Sequence, residues 1–178
     1  LNIMKKQRLV LGGGCFWCTE AVYSNVKGVL SAVSGYAGGS RPNPTYENIC
    51  TGATGHAEIV DIEYDSEVIS LNELLDIFFI VHNPTTLNQQ GADKGTQYRS
   101  VVYYENDEQK NSILESIAKA QTNFNDKIVT EVSELPEVFK AEDYHQNYFK
   151  LNSSQGYCQV VIVPKLQKFM TSFPQLLG

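Results

Sequence analysis

The sequence predicts an α/β protein of the α+β kind: a single two-layer domain with a mixed or antiparallel sheet, flanked by helices and by long loops that carry functional residues. Apolar stretches with the period of strands alternate along the chain with stretches of helical period. Two long polar loops interrupt this alternation, and no internal repeat, low-complexity tract or linker divides the chain. The 178 residues, 42% of them hydrophobic, suffice for one core, so we treat residues 1–178 as one domain.

The first elements surround a glycine-rich turn. Residues 9–11 are consecutive apolar residues that predict a short buried strand, and the three glycines at 12–14 permit a tight turn. Residues 16–26 contain no glycine or proline and predict a helix. A strand over 28–36 follows this helix.

The middle of the chain combines a polar loop, a strand and a capped helix. A Gly/Pro-rich loop over 37–44 leads to a short helical turn over 46–50 and then to a strand over 57–64. Residues 70–81 predict a helix, because Ser70-Leu71-Asn72-Glu73 has the pattern of a capping box and the following apolar residues lie on one face.

A second long loop precedes the last elements. Residues 83–97 show no periodicity, and a loop of about fifteen residues usually carries function. The remaining elements are predicted as a strand over 100–104, a helix over 106–124, a strand over 128–132, a helix over 142–151, a strand over 157–163 and a basic tail helix.

Charge and hydropathy narrow the classes of partner. A net charge of −6 without a basic run argues against nucleic acid or an anionic membrane as a partner. No segment approaches the ~20 apolar residues of a membrane span. The basic start over residues 4–8 is followed by an apolar run too short for a signal peptide. We therefore expect a cytoplasmic protein, and we expect it to be a monomer.

The segment Gly-Gly-Gly-Cys-Phe-Trp-Cys-Thr-Glu at residues 12–20 points to thiol chemistry on an apolar ligand. It places Cys15 at the start of a helix, where unpaired backbone N–H groups favour an anion, so we expect a thiol pKa below the ordinary ~8.5 and a nucleophilic cysteine. The alternatives are buried structural cysteines, a zinc site, or a redox pair of Cys15 and Cys18. Zinc would need further ligands, and only His56 lies near either of the other cysteines in sequence.

A carboxylic acid is predicted on the strand over 57–64. Period-two alternation puts Glu58 on the face of Val60, Ile62 and Tyr64, which is the more apolar face. Burial there raises the pKa of a carboxyl, so Glu58 is expected to hold a proton near neutral pH and to act as an acid. The alternative is that Glu58 caps a turn or pairs with a surface cation.

Several motifs together carry a family resemblance. The chain contains, in order, the segments Gly14-Cys15-Phe16-Trp17, Pro44-Thr45-Tyr46, Gly55-His56-Ala57-Glu58, Gly95-Thr96-Gln97-Tyr98-Arg99-Ser100, Ala141-Glu142-Asp143-Tyr144-His145-Gln146 and Gly156-Tyr157-Cys158. These resemble the type A peptide methionine sulfoxide reductases over about residues 9–165. The resemblance implies reduction of the S epimer of methionine sulfoxide, free or in proteins, with thioredoxin as the final electron donor.

The chemistry needs a nucleophile, an acid and donors to the sulfoxide oxygen. We assign Cys15 as the nucleophile and Glu58 as the acid that protonates the departing oxygen. The resemblance implies that the hydroxyls of Tyr46 and Tyr98 hold this oxygen; without it, two of ten tyrosines would be expected only to pack.

The resemblance also implies a binding pocket. Phe16 and Trp17 match the positions that form an apolar pocket for the substrate methyl group, although their aromatic rings are equally compatible with a core position. Asp93 and His145 match positions that line the same site.

A second cysteine is needed to resolve the sulfenic acid formed on Cys15. Cys158 resembles the family's C-terminal resolving cysteine and follows a glycine that gives it mobility. Cys18 lies on the same helix as Cys15, which points it away from disulfide geometry unless the turn unwinds. Many relatives have glycine at this position, so Cys18 stays open as an alternative resolving cysteine or a backup in this chain. Cys50 is expected to be structural.

Two other classes remain open. A general thiol-disulfide oxidoreductase would use Cys15 and Cys18 as its redox couple, and a non-catalytic redox sensor or metal-binding module would show no turnover on sulfoxides. The sequence implies no organic cofactor, because the glycines do not form a dinucleotide fingerprint. It implies no metal either, because a zinc site would need further ligands. The reductant is thioredoxin or a small thiol such as dithiothreitol.

Overall fold

The computed structural model describes residues 5–178. Met4 of the basic start predicted from the sequence, and the first residues of the proposed domain, lie outside this range. The eight strands are β1 (Lys6–Gly12), β2 (Val29–Ala37), β3 (Ala57–Asp65), β4 (Gln89–Gln90), β5 (Asp93–Lys94), β6 (Val101–Tyr104), β7 (Glu131–Glu134) and β8 (Val138–Lys140). The α-helices are α1 (Phe16–Tyr23), α2 (Tyr46–Cys50), α3 (Leu71–Val81), α4 (Asp107–Gln121), α5 (Tyr148–Asn152) and α6 (Val163–Ser172).

Six strands form a mixed sheet in the order β7-β6-β1-β3-β2-β8. Only the pair β6 and β7 is parallel, and the other neighbours are antiparallel. Strands β4 and β5 form a separate small hairpin. The predicted class, a mixed or antiparallel sheet flanked by helices, is confirmed.

The core lies between one face of this sheet and the helices. Leu9, Leu11, Val60 and Ile62 point from β1 and β3 into a cluster shared with α1, α3, α4 and α6. The opposite face holds a smaller apolar cluster that includes Ile59. The alternation predicted for β3 is therefore correct, and Glu58 lies on the face of the main core.

The start of helix α3 is fixed by local sequence. The Ser70 hydroxyl accepts from the backbone N–H of Glu73, and the Glu73 carboxylate accepts from the backbone N–H of Ser70. The predicted capping box is present. No helix among residues 5–178 combines the length and the apolar character needed to cross a membrane.

The strand predicted over 157–163 is wrong. These residues form a π-helical turn, Cys158–Ile162, that continues directly into α6. Cys158 and Ile162 are fully buried four residues apart, whereas Val160 is 74% exposed. Packing of this helical face overrides the strand preference of the β-branched residues.

Other predicted boundaries also change. The helix predicted over 142–151 is broken: a 3₁₀ turn, Asp143–His145, is followed by Asn147 in the left-handed conformation (φ 54°) and only then by α5. The strand predicted over 128–132 begins at Glu131, and strand β8 was not predicted. The loop over 83–97 contains the hairpin of β4 and β5.

Candidate active site

The glycine turn places Cys15 at the N-terminus of α1. Gly14 adopts a left-handed conformation (φ 85°), and its N–H donates to the carbonyl of Tyr98 at 3.1 Å. A side chain on Gly12 would lie 2.3 Å from the carbonyl oxygen of Glu58, so β1 and β3 can approach only because residue 12 is glycine. Cys15 is the N-cap residue, with extended backbone angles (φ −65°, ψ 130°).

Glu58 is buried directly below this turn. Its carboxylate accepts from the backbone N–H of Phe16 at 3.1 Å, and only 1% of the residue is exposed. Burial raises the pKa of Glu58 to about 8, although the Phe16 N–H opposes this, and the charge of Asp93 adds to the rise. The structure thus gives Glu58 the proton that a general acid requires at neutral pH.

The thiols of Cys15 and Cys18 are both buried and hydrogen-bonded to each other. Burial raises the pKa of Cys15 well above its usual value, and the hydrogen bond with Cys18 and the charge of Glu58 act in the same direction. The lowered pKa predicted for Cys15 is wrong in this resting arrangement, because burial outweighs the helix N-terminus. The hydrogen bond from Cys15 instead lowers the pKa of Cys18 to about 7.

Cys15 and Cys18 lie within the first turn of α1. Cys15 is the N-cap residue with extended backbone angles, whereas Cys18 lies inside the helix. The expectation that Cys18 forms a disulfide with Cys15 only when this turn unwinds stays a prediction.

Two tyrosines reach the same pocket from separate elements. Tyr46 is the first residue of α2, which is capped by Thr45, and Tyr98 ends a 3₁₀ turn that follows Gly95. Burial raises the pKa of both phenols, and the negative charge of Glu58 raises them further. Both hydroxyls therefore lie near Glu58 and stay protonated as hydrogen-bond donors.

Aromatic side chains line the pocket beside Cys15. The indole N–H of Trp17 donates to Nδ1 of His145 at 3.0 Å. The His145 ring lies 5.1 Å from Phe16 and 4.4 Å from Tyr46 between ring centroids. His145 is fully buried, and its Nε2 has no hydrogen-bond partner among residues 5–178. Because Trp17 can only donate, Nε2 carries the imidazole proton.

Three further residues of the site were missed by sequence reasoning. Tyr148 stacks on Trp17 with ring centroids 3.6 Å apart, and Tyr157 packs edge-on against the same indole at 5.8 Å. Glu142 accepts from the Tyr36 hydroxyl at 2.9 Å and from the backbone N–H of Tyr46 at 2.8 Å. Tyr157 and Glu142 lie inside the motifs that carry the family resemblance, so these motifs were the signal that could have identified them.

The Tyr157 hydroxyl closes the site over the thiols. It donates to Oδ2 of Asp93 at 3.0 Å and lies 3.9 Å from Sγ of Cys18. The next residue, Cys158, is fully buried, and burial together with the charge of Cys18 raises its pKa. The mobility predicted for Cys158 therefore requires the segment around Gly156 to move.

Buried polar contacts hold the His145 loop against α1 and β2. Glu20 accepts from the Ser34 hydroxyl at 3.0 Å and from the backbone N–H of Asn147 at 2.6 Å. The side chain of Gln146 bonds both backbone groups of Ser34. These contacts, which sequence reasoning did not identify, fix the loop that carries His145.

Cys50 differs from a buried structural cysteine. It is exposed and is the last residue of α2. Among residues 5–178, no group of three or more histidine, cysteine, aspartate or glutamate side chains is arranged to hold a metal ion.

An α+β fold that buries a thiol pair beside a protonated carboxyl and phenolic donors defines a thiol-dependent reductase. Comparison with known proteins identifies the family of reductases to which the chain belongs. The family described as "Peptide methionine sulfoxide reductase" matches residues 7–176. The chain belongs to this family, and the resemblance inferred from the motifs is confirmed.

Individual members of this family are similar to the chain in sequence and in structure. The "Peptide methionine sulfoxide reductase MsrA" of Polynucleobacter asymbioticus is 56% identical over 99% of this chain and 94% of its own length. Mxr1 from Saccharomyces cerevisiae in its reduced form has a similar structure, with a TM-score of 0.80 and 34% identity over 86% of this chain and 90% of Mxr1. Mxr1 in complex with Trx2 matches with a TM-score of 0.57 and 26% identity, over 81% of this chain and 85% of Mxr1. This protein is thus a methionine sulfoxide reductase.

Proposed function

We propose that this protein is a peptide-methionine (S)-S-oxide reductase, which reduces the S epimer of methionine sulfoxide, free or in proteins, with Cys15 as the nucleophile and Glu58 as the acid. The observation that carries this assignment is the position of a buried, protonated Glu58 carboxyl beside the start of α1, with 3.1 Å between its oxygen and the Phe16 N–H. Carboxyl groups whose pKa is raised by burial beside a nucleophile are typical of sites that use the proton in catalysis.

The first step is attack by sulfur on sulfur. The Cys15 thiolate bonds to the sulfoxide sulfur while the sulfur–oxygen bond weakens, and the oxygen gathers negative charge. Glu58 supplies the proton that this oxygen needs, and the hydroxyls of Tyr46 and Tyr98 donate hydrogen bonds to it. The oxygen leaves as water, and the methionine sulfur stays bonded to Cys15 as a sulfonium. Water then attacks the Cys15 sulfur, the sulfur–sulfur bond breaks and a proton is released, so the products are methionine and a sulfenic acid on Cys15.

The aromatic side chains beside Cys15 suit the apolar methyl group of the substrate. Phe16, Trp17 and His145 form a wall beside Cys15, and the shape of this wall fits a thioether methyl group. The protonated Nε2 of His145 is a buried donor that a bound substrate can satisfy. Asp93 holds Tyr157 across the entrance, so Tyr157 has to move when the substrate enters.

Recycling requires a second thiol and an external reductant. A thiolate that attacks the sulfenic acid forms a disulfide and releases water. We assign Cys158 as the thiol that passes the oxidation on to thioredoxin, with Cys18 as the alternative resolving residue. The yeast relative solved in complex with Trx2 supports a thioredoxin as the physiological reductant, and dithiothreitol can replace it in an assay.

Three predictions from the sequence stay predictions. They are that residues 1–178 form one domain, that the protein is a monomer and that it is cytoplasmic.

The decisive experiment separates the two sulfur epimers of a methionine sulfoxide. Turnover is measured for each epimer with dithiothreitol as reductant, and Cys15→Ser is the control. Consumption of the S epimer alone, lost in the variant, is the expected result. Disulfide exchange without turnover of either epimer would instead favour a thiol-disulfide oxidoreductase that uses Cys15 and Cys18.

A further inference from the structure

A lysine on the last long helix lies beside the thiol pair. Lys165 of α6 and Cys18 of α1 both line a small cavity whose other walls are mainly the apolar side chains of Val22, Phe78 and Val81. The ammonium nitrogen of Lys165 lies 3.9 Å from the point where a side chain on Gly14 would begin. A cation is therefore placed next to the glycine turn that presents both cysteines.

The other neighbours of this cavity do not neutralise the lysine. No carboxylate of residues 5–178 lies within 4.0 Å of the Lys165 ammonium group, since none of the ion pairs formed by these residues includes it. His82, which also lines the cavity, is neutral because burial lowers its pKa to about 3. The positive charge of the half-buried Lys165 thus acts on Cys18 across a gap with mainly apolar walls.

The other titratable groups that act on Cys18 include two carboxyls and a thiol. Asp93 of β5, Glu58 of β3 and Cys158 of the π-helical turn interact electrostatically with it, and Glu58 holds its proton at neutral pH. The Tyr157 hydroxyl lies 3.9 Å from the Cys18 sulfur. Asp93 raises the pKa of Cys18, whereas the hydrogen bond from Cys15 and the charge of Lys165 lower it to about 7. Lys165 is the positively charged residue among these neighbours of Cys18.

We propose that Lys165 is a positioning residue that holds the negative charge of the thiol pair on Cys18, and thereby selects Cys18 as the thiol that forms the first disulfide with Cys15. The positions of Cys15 and Cys18 in one helical turn, and the small cavity lined by both Cys18 and Lys165, carry this inference. Cys158, by contrast, is fully buried and leads into a helix, so it has to move before it can react.

The step balances without any further reagent. The Cys18 thiolate attacks the sulfur of the Cys15 sulfenic acid, a sulfur–sulfur bond forms, and the sulfur–oxygen bond breaks. The hydroxide that leaves takes up a proton and becomes water. Cys18 is oxidised and the Cys15 sulfur is reduced by the same amount. The sulfenic acid itself comes from the proposed function, on which this inference rests.

The test compares two lysines on the same helix. Lys165→Met removes the charge at the cavity, and Lys168→Met removes the same charge from an exposed position one turn further on. Lys165→Arg restores the charge. The reduced proteins receive one equivalent of the S-sulfoxide without reductant, and methionine release and peptide-mapped disulfides are followed over time at several pH values. The ultraviolet absorbance of the thiolates is titrated in parallel.

The expected result is equal release of methionine from all variants, with Cys15–Cys18 as the first disulfide. In Lys165→Met this disulfide forms roughly fivefold to tenfold more slowly at neutral pH, because a thiolate pKa about one unit higher leaves that much less thiolate. The difference disappears near pH 9, and the thiolate titration of this variant shifts upward. Lys168→Met and Lys165→Arg behave like the unchanged protein.

Two results would overturn the inference. One is a Lys165→Met protein whose disulfide rate and thiolate titration equal those of Lys168→Met, and the other is a first disulfide that joins Cys15 to Cys158. Failure of the proposed function gives a different result: no methionine is released by any variant. In that case the thiolate titration still decides whether Lys165 controls Cys18.

Discussion

The hydroxyl of Tyr157 donates a hydrogen bond to Asp93 at 3.0 Å and so fastens the C-terminal segment over the thiols of Cys15 and Cys18. The bond joins the short strand β5 to the turn that precedes Cys158. Substrate entry and exposure of Cys158 therefore depend on the same contact. A segment that covers the nucleophile in the resting state also protects it from unspecific oxidation.

Removing this hydroxyl should open the site. In Tyr157→Phe we expect iodoacetamide to alkylate Cys15 about fivefold faster, because a lost hydrogen bond of about 1 kcal/mol shifts the closed state toward the open one by roughly that factor. Tyr148→Phe is the matched control, since it loses a hydroxyl bonded to Gln155 at 2.6 Å but keeps its ring for Trp17. Equal alkylation rates in both variants would show that the Asp93 contact does not hold the segment.

The pH dependence of turnover should be bell-shaped. Activity rises as Cys18 becomes the thiolate that attacks the sulfenic acid, through its pKa of about 7, and falls as Glu58 loses its proton above about 8. Glu58→Gln keeps a hydrogen-bond donor but cannot transfer a proton, so kcat for the sulfoxide step should fall by ~10²–10⁴-fold. The alkaline limb should also disappear in this variant. If stopped-flow measurements on Glu58→Gln still show a fall in rate above about pH 8, a group other than Glu58 causes that fall.

The same carboxyl should make stability depend on pH. The folded state keeps the Glu58 proton up to about pH 8, whereas the unfolded chain releases it near the ordinary value of 4.5, so the folded state binds more protons between these values. The free energy of unfolding therefore falls as pH rises from about 4.5 to 8, and this contribution is constant above that. Thermal unfolding should show Glu58→Gln gaining relative stability across this window. Glu63→Gln, which alters an exposed glutamate of the same strand, should not.

The position of Glu58 could be predicted because a strand's alternation is a local property. Each residue of β3 points to the face that period two assigns, so the burial of Glu58 and the direction of its pKa shift follow from its neighbours in sequence. The start of α3 was predictable for the same reason, since the capping partners are three residues apart.

The thiol pKa and the C-terminal segment could not be predicted in this way. The pKa of Cys15 depends on burial under Tyr157, a residue far away in sequence, and on the hydrogen bond with Cys18. The residues after Cys158 are β-branched and favour a strand locally, but their packing against the core selects a helix. Trp17 meets Tyr148 only because Glu20 and Gln146 hold the intervening loop.

The tautomer of His145 should depend on Trp17. The indole N–H fixes Nδ1 as an acceptor, which leaves the proton on Nε2 inside the pocket. In Trp17→Phe this donor is lost, so we expect the imidazole ¹⁵N shifts of His145 to become those of a tautomer mixture. KM should rise about fivefold, the amount expected for one hydrogen bond of about 1 kcal/mol. His56, whose Nδ1 accepts from Gly39 at 2.9 Å, provides an unaffected reference signal in the same spectra.

Cys158→Ser should separate the two stages of the catalytic cycle. The variant retains Cys15 and Cys18, so it should release one equivalent of methionine and remain active with dithiothreitol. With thioredoxin it should stall, because the Cys15–Cys18 disulfide lies under the segment held by Tyr157 and Asp93. Exchange with Cys158 would move the disulfide to a segment that can swing outward at Gly156, where no other atom lies within 4 Å of an added side chain.

Cys50→Ser is the matched control for this experiment, because Cys50 is exposed at the end of α2 and has no part in the proposed transfer. Its thioredoxin-dependent rate should stay within about twofold of the unchanged protein, as for most surface substitutions. Normal thioredoxin cycling by Cys158→Ser would mean that thioredoxin reduces the Cys15–Cys18 disulfide directly. That outcome would require Tyr157 to leave Asp93 during recycling as well as during substrate entry, and combining Cys158→Ser with Tyr157→Phe should then accelerate cycling further.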